Sequence, residues 1–147
     1  MYLKNFKITE LIILGCFITS VIVVSIFKIN SFQIELFVFG GLLSVAYMFF
    51  GSYFFYKPAE NHSYIFSVIL GVIYSVSTIS IILNILPLVG GEYFSLISLI
   101  LLIPVELIIL YKLKENKMSK PYLVNQIIRG SVLLFFNLMF IMTSIVS

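Results

Sequence analysis

Five long apolar stretches dominate the chain. The first runs from about Ile8 to Phe27, the second from Phe32 to Phe55, the third from Tyr64 to Leu86, the fourth from Tyr93 to Tyr111, and the fifth from about Pro121 to Val146. Each is near the ~20 residues that an α-helix needs to cross ~30 Å of hydrocarbon. Lipid offers no partner to a backbone N–H or C=O, so a spanning segment must be a helix or part of a closed barrel. These runs are too long for barrel strands. The expected fold class is therefore all-α, a polytopic membrane protein with five transmembrane helices in a single domain of 147 residues. Composition agrees. The chain is 61% hydrophobic and 10% charged, with a mean hydropathy of +1.17. A soluble domain is nearer half apolar and a quarter charged, and one of this size has too much surface to hide the excess.

The fifth stretch is the least clean. Asn125, Gln126 and Arg129 occupy its first turns and Asn137 its middle. Pro121 fits an early helix position, where its missing N–H costs nothing. The connections are short, and none has room for a soluble domain. With five spans, one end of the bundle collects Lys4, Lys7, Lys57, Lys112, Lys114, Lys117 and Lys120, and the other holds only Lys28. Seven against one is a positive-inside signal, which predicts a cytoplasmic N-terminus and a C-terminus outside. The same rule accounts for the net charge of +3, so no nucleic-acid partner is expected.

The residues exclude much chemistry. There is no Asp, one His (His62) and one Cys (Cys16). Ser-His-Asp triads, aspartyl dyads and Cys/His zinc sites need residues that are absent. No catalytic residue, cofactor or metal site is expected. Ile13-Leu14-Gly15-Cys16 has a passing likeness to a lipoprotein cleavage site. However, Glu10 interrupts the would-be leader and the apolar run continues well past Cys16, which fits an uncleaved first helix. Asn61-His62-Ser63 matches the glycosylation pattern in a tight loop on the predicted cytoplasmic side, where chance explains it.

Two features carry the polar content of the spans. Small residues recur at four-residue spacing: Gly15 and Thr19 on the first, Gly40 and Ser44 on the second, Ser67, Gly71 and Ser75 on the third. Such residues let helices approach closely, so Gly15, Gly40, Ser67, Gly71 and Ser75 are expected at helix contacts. A polar pathway along Tyr74, Ser77, Thr78 and Ser80 is the functional alternative to plain packing. The second feature is Glu106, just after Pro104 in an apolar span. An ionisable group there must face protein or water and find a partner. Arg129 lies at similar depth on the next helix, so an intramembrane ion pair between Glu106 and Arg129 is expected.

Repeated local matches, such as Ile13-Leu14-Gly15 with Ile69-Leu70-Gly71 and Tyr56-Lys57 with Tyr111-Lys112, fit two tandem helical hairpins plus a fifth helix. The turn Phe27-Lys28-Ile29-Asn30-Ser31, followed by Gly40-Gly41-Leu42, resembles the first hairpin of the membrane subunit of the Bacteroidetes gliding-motility and type IX secretion motor and related small membrane proteins. Leu83-Asn84-Ile85-Leu86-Pro87 with Gly90-Gly91 is a more degenerate echo. In that family the turn continues His-Trp-Pro and the second helix carries an essential Glu. Here the turn reads Asn30-Ser31-Phe32, there is no Trp, and no acid occurs between Leu36 and Phe55. Lys28 matches the family's lysine without its acidic partner. The resemblance implies a bacterial inner-membrane protein and does not extend to proton-driven motor activity.

The expected role is a non-catalytic accessory or interaction subunit of the inner membrane, surrounded by lipid and joined to a membrane-protein partner or to further copies of itself. The alternative is a small oligomeric transporter or ion-conducting subunit using Glu106. A closed, dry ion pair at Glu106 favours the first, and a hydrated, unpaired Glu106 the second.

Overall fold

The computed structural model describes residues 2–55, 64–86, 88–115 and 120–146. At positions 2–6, 120 and 144–146 it describes the backbone alone. The second connection, with Lys57, Pro58, Asn61 and His62, lies outside the described residues, as do Pro87 and Lys117.

Five helices follow in order: α1 (Tyr2–Phe27), α2 (Gln33–Phe55), α3 (Tyr64–Ile85), α4 (Gly91–Lys114) and α5 (Lys120–Val146), with a single 3-10 turn at Asn30–Phe32. All five are long and apolar enough to cross a membrane. The protein is an all-α, multi-pass membrane protein. Helix ends differ from the apolar limits in a regular way. α1 starts at Tyr2 rather than Ile8, because a polar turn with Lys4 and Lys7 continues the helix beyond the hydrocarbon-sized run. At 1.5 Å per residue its 26 residues reach ~39 Å, longer than the bilayer core. α4 runs on past Tyr111 to Lys114, and Lys112 and Lys114 in its last turn complement the helix dipole. Glu35 and Glu92 lie in the first turns of α2 and α4, where the same dipole favours a carboxylate.

Among the described residues, two turn the chain with positive φ: Lys28 at 54° and Gly90 at 94°. Gly90 stands immediately before α4, where only a residue without Cβ takes that angle at no cost.

Contacts fix the helix directions. As residue numbers rise on α2 they fall on α3: Ser44 meets Ser75, Tyr47 packs edge-on against Tyr74, and Gly51 abuts Gly71. The same inverse order joins α1 to α2 (Glu10 to Tyr47, Phe17 beside Gly40) and α3 to α4 (Ser77 to Ser98, Ser80 to Ser95, Asn84 to Gly91). α3 and α5 run parallel, with Tyr74 at Gln126 and Ser80 at Asn137. Helix α3 is the hub. Its apolar window is 61% buried, against 39% or less in the other four, and it touches α2, α4, α5 and part of α1. Bulky side chains such as Ile34, Phe49, Ile65 and Ile100 point outward and stay exposed. That arrangement suits hydrocarbon, not water.

Candidate functional site

Backbone proximity between α2 and α3 builds the frame of the site. A Cβ on Gly51 would lie 2.6 Å from Gly71 Cα, and one on Gly71 would lie 2.9 Å from Gly51 Cα and collide with the Tyr47 carbonyl oxygen. The small stripe of α3 fills this contact: Ser67 donates to the Phe55 carbonyl at 2.9 Å, and Ser75 shares a 2.8 Å bond with Ser44. Gly40 lies against Ile82 and Phe17, whose side-chain carbons would be 2.6 and 2.7 Å from an added Cβ. Gly15 departs from expectation. Nothing comes within 4 Å of a Cβ placed there, so among the described residues no other helix packs closely on it. The reason is angular. The buried stripe of α1 runs Glu10, Leu14, Phe17, Val21, Val24, and Gly15 lies one residue, or ~100°, off that stripe.

With α2 and α3 held this close, Tyr47 and Tyr74 meet at 5.9 Å between ring centroids, both fully buried. Their hydroxyls enter a polar cluster that draws on all five helices. Tyr47 donates to Glu10 Oε1 at 2.6 Å. Arg129 grips the same carboxylate with two bonds, Nε to Oε1 at 2.9 Å and a terminal guanidinium nitrogen to Oε2 at 2.7 Å. The side chain of Glu10 is wholly buried, and that of Arg129 is 12% exposed. Arg129 also donates to the Asn125 carbonyl, and Tyr74 to the Gln126 carbonyl at 3.1 Å.

The expected pair between Glu106 and Arg129 is thereby corrected: Arg129 binds Glu10. Depth was matched well enough, at ~12 to 14 Å of helix from the ends of α1, α4 and α5 for the three charges. Azimuth decides the partner. Successive residues of a helix differ by ~100°, so Arg129 projects toward α1 while its neighbour Gly130 turns to α4. Glu106 fills the notch left by Gly130, where a Cβ would overlap Oε1 and lie 2.6 Å from Cδ. Glu106 is buried, with Oε1 accepting no hydrogen bond, and Gln126 one turn earlier on α5 also has an unpartnered buried Oε1. Pro104 faces outward on α4, away from this cluster.

A second polar layer lies nearer the opposite end. Ser98 bonds Ser77 at 2.7 Å, Ser80 bonds Ser95 at 2.8 Å and Asn137 at 2.6 Å, and Asn84 reaches Ser95 and the Gly91 carbonyl. Ser77 and Thr78 donate to carbonyls of their own helix. Tyr74, Ser77 and Ser80 thus bond across helix contacts, while Thr78 bonds within α3. Beyond this layer a cleft of about 520 Å³ opens between Asn84, Gly90, Glu92, Tyr93 and Phe140. Among the described residues no group of three His, Cys, Asp or Glu could hold a metal ion.

Sequence reasoning missed Glu10, Tyr47, Gln126 and Gly130 as one site. Glu10 alone carried a signal, as a carboxylate three residues inside the first apolar span.

Fold and site define a multi-pass helical membrane protein with an internal charged cluster. No family model, curated protein or solved structure matches the chain.

Proposed function

We propose that the protein is a small transporter or ion-conducting subunit in which Glu106 is the working carboxylate. One observation carries this reading: the only described arginine is committed to Glu10, so Glu106 is buried within a span without a structural ion-pair partner. An intramembrane ionisable group with no structural role is expensive to keep and marks a functional site. Seven lysines against one argue for a cytoplasmic N-terminus and an outer C-terminus. The hairpin resemblance argues for a bacterial inner membrane. The test is reconstitution in liposomes, with charge movement recorded under imposed H⁺, Na⁺ and K⁺ gradients. Flux in the native protein and its loss in Glu106→Gln support the reading, and flux untouched by that change refutes it.

A second reading, the non-catalytic accessory or interaction subunit, is favoured by the open space above Gly15. It lies in a groove of about 370 Å³ with Cys16, Thr19 and Phe39, where a helix of another protein or of a second copy could approach closely. Gly15→Leu should then release a partner that co-purifies from the native membrane. An assembly of unchanged composition would remove this reading.

A further inference from the structure

We propose that the occupant of the Glu106 site is a single exchangeable proton, held on Oε1 at the Gly130 notch. This deepens the transport reading and rests on it. The argument starts from charge. The buried charged groups of the cluster are Glu10, Glu106 and Arg129. Two carboxylates face one guanidinium, so the cluster is one positive charge short of neutrality. An uncompensated charge in a low-dielectric interior is costly, and it is relieved by a proton or by a bound cation.

Geometry chooses between the two. The guanidinium and the Tyr47 hydroxyl already give Glu10 three hydrogen bonds, so that carboxylate is the ionised partner. Glu106 Oε1 has none. A metal ion needs several oxygens around an open space, but the carboxyl itself fills the notch over Gly130. A proton needs no volume. Once protonated, Oε1 becomes a donor, and Gln126, on the same face of α5 as Gly130, carries a buried oxygen still lacking one. The titratable and charged groups facing this site are Tyr74 from α3, Tyr122 and Arg129 from α5, Tyr47 from α2 and Glu10 from α1. Lys7 is half-buried one turn nearer the membrane edge. Loading adds one proton to Glu106 and unloading returns it to water, with no other bond changed.

The experiment is labelling of the full chain in proteoliposomes with dicyclohexylcarbodiimide, which adds to a carboxyl that carries its proton in an apolar setting. The adduct is then located by peptide mass spectrometry. Expected are an adduct on Glu106, none on Glu10, a yield that falls at alkaline pH, and no protection by Na⁺ or K⁺. Difference infrared spectroscopy supplies a second readout that needs no reagent access. A protonated-carboxyl C=O band should be present in the native protein and missing in Glu106→Gln. Absence of both the adduct and the band, protection by Na⁺ or K⁺, or labelling of Glu10 instead would overturn the proposal. The two readings fail separately. Labelling at Glu106 in a protein that moves no ion removes transport and keeps the proton site. Flux without adduct or band keeps transport and removes the proton.

Discussion

Glu10 and Arg129 form the clearest energetic test, because the two partners are buried unequally. Arg129→Met would leave the Glu10 carboxylate wholly enclosed, with only the Tyr47 hydroxyl to accept from. Stranding one member of a buried pair costs ~3–5 kcal/mol. Glu10→Leu strands a guanidinium that is 12% exposed, near a helix end, and still bonded to the Asn125 carbonyl. That side chain can extend toward the interface, so the loss should be smaller, ~1–3 kcal/mol. The double variant removes both charges together and should cost less than the sum of the single losses by at least ~1.5 kcal/mol, within the ~0.5–3 kcal/mol seen for contacting residues. Equilibrium unfolding in bicelles, followed by tryptophan-free methods such as steric trapping, measures all four species. A matching cycle of Glu106→Gln with Arg129→Met should show weaker coupling. Additive losses for Glu10 with Arg129, or stronger coupling to Glu106, would show that the arginine does not face α1.

Three further outcomes follow from the packing. Gly71→Ala drives a methyl into the Tyr47 carbonyl and Gly51 Cα, both backbone, and should lower unfolding stability by ~1–3 kcal/mol; an unchanged stability would mean that α2 and α3 stand further apart. Gly130→Ala should expel the Glu106 carboxyl from its notch and cut both carbodiimide labelling and ion flux, measured side by side with native protein; full labelling would place the carboxyl elsewhere. A reporter fused after Ser147 should read outside and one in the 112–120 connection cytoplasmic; a cytoplasmic reading after Ser147 would contradict the lysine count.

Span number and helix type were legible because hydrocarbon imposes a length and forbids unpaired backbone. The contacts of Gly71 and Ser67 were legible too, since small residues at four-residue spacing mark close approach whatever the neighbour. Gly15 has the same spacing and no neighbour, because a stripe of small residues does not say whether the surface opposite is protein or lipid. Glu106 and Arg129 show the other limit. A sequence gives depth through rise per residue, but which of two carboxylates an arginine meets depends on helix rotation and on how α1 sits against α5. Neither is written locally. Glu10 stood close enough to the end of its span to pass for an interfacial residue.

The two polar layers differ in a way that bears on function. In the layer of Ser77, Ser80, Asn84, Ser95, Ser98 and Asn137, short hydroxyl and amide groups alternate as donors and acceptors, and they stitch α3, α4 and α5 together. A network satisfied in this way rigidifies its helices, and breaking one member leaves its partner stranded. The other layer is built from long side chains, and it leaves a buried acceptor oxygen of Glu106 and one of Gln126 without a donor. Deficits of this kind are rare in buried sites and need a physical reason. Helix α4 spans both layers. Its anchored part is Gly91 to Ser98, and its carboxylate sits on the opposite side of Pro104, where the missing N–H weakens the helix ladder. Gaining or losing a proton at Glu106 would therefore act on the part of α4 that lies beyond Pro104.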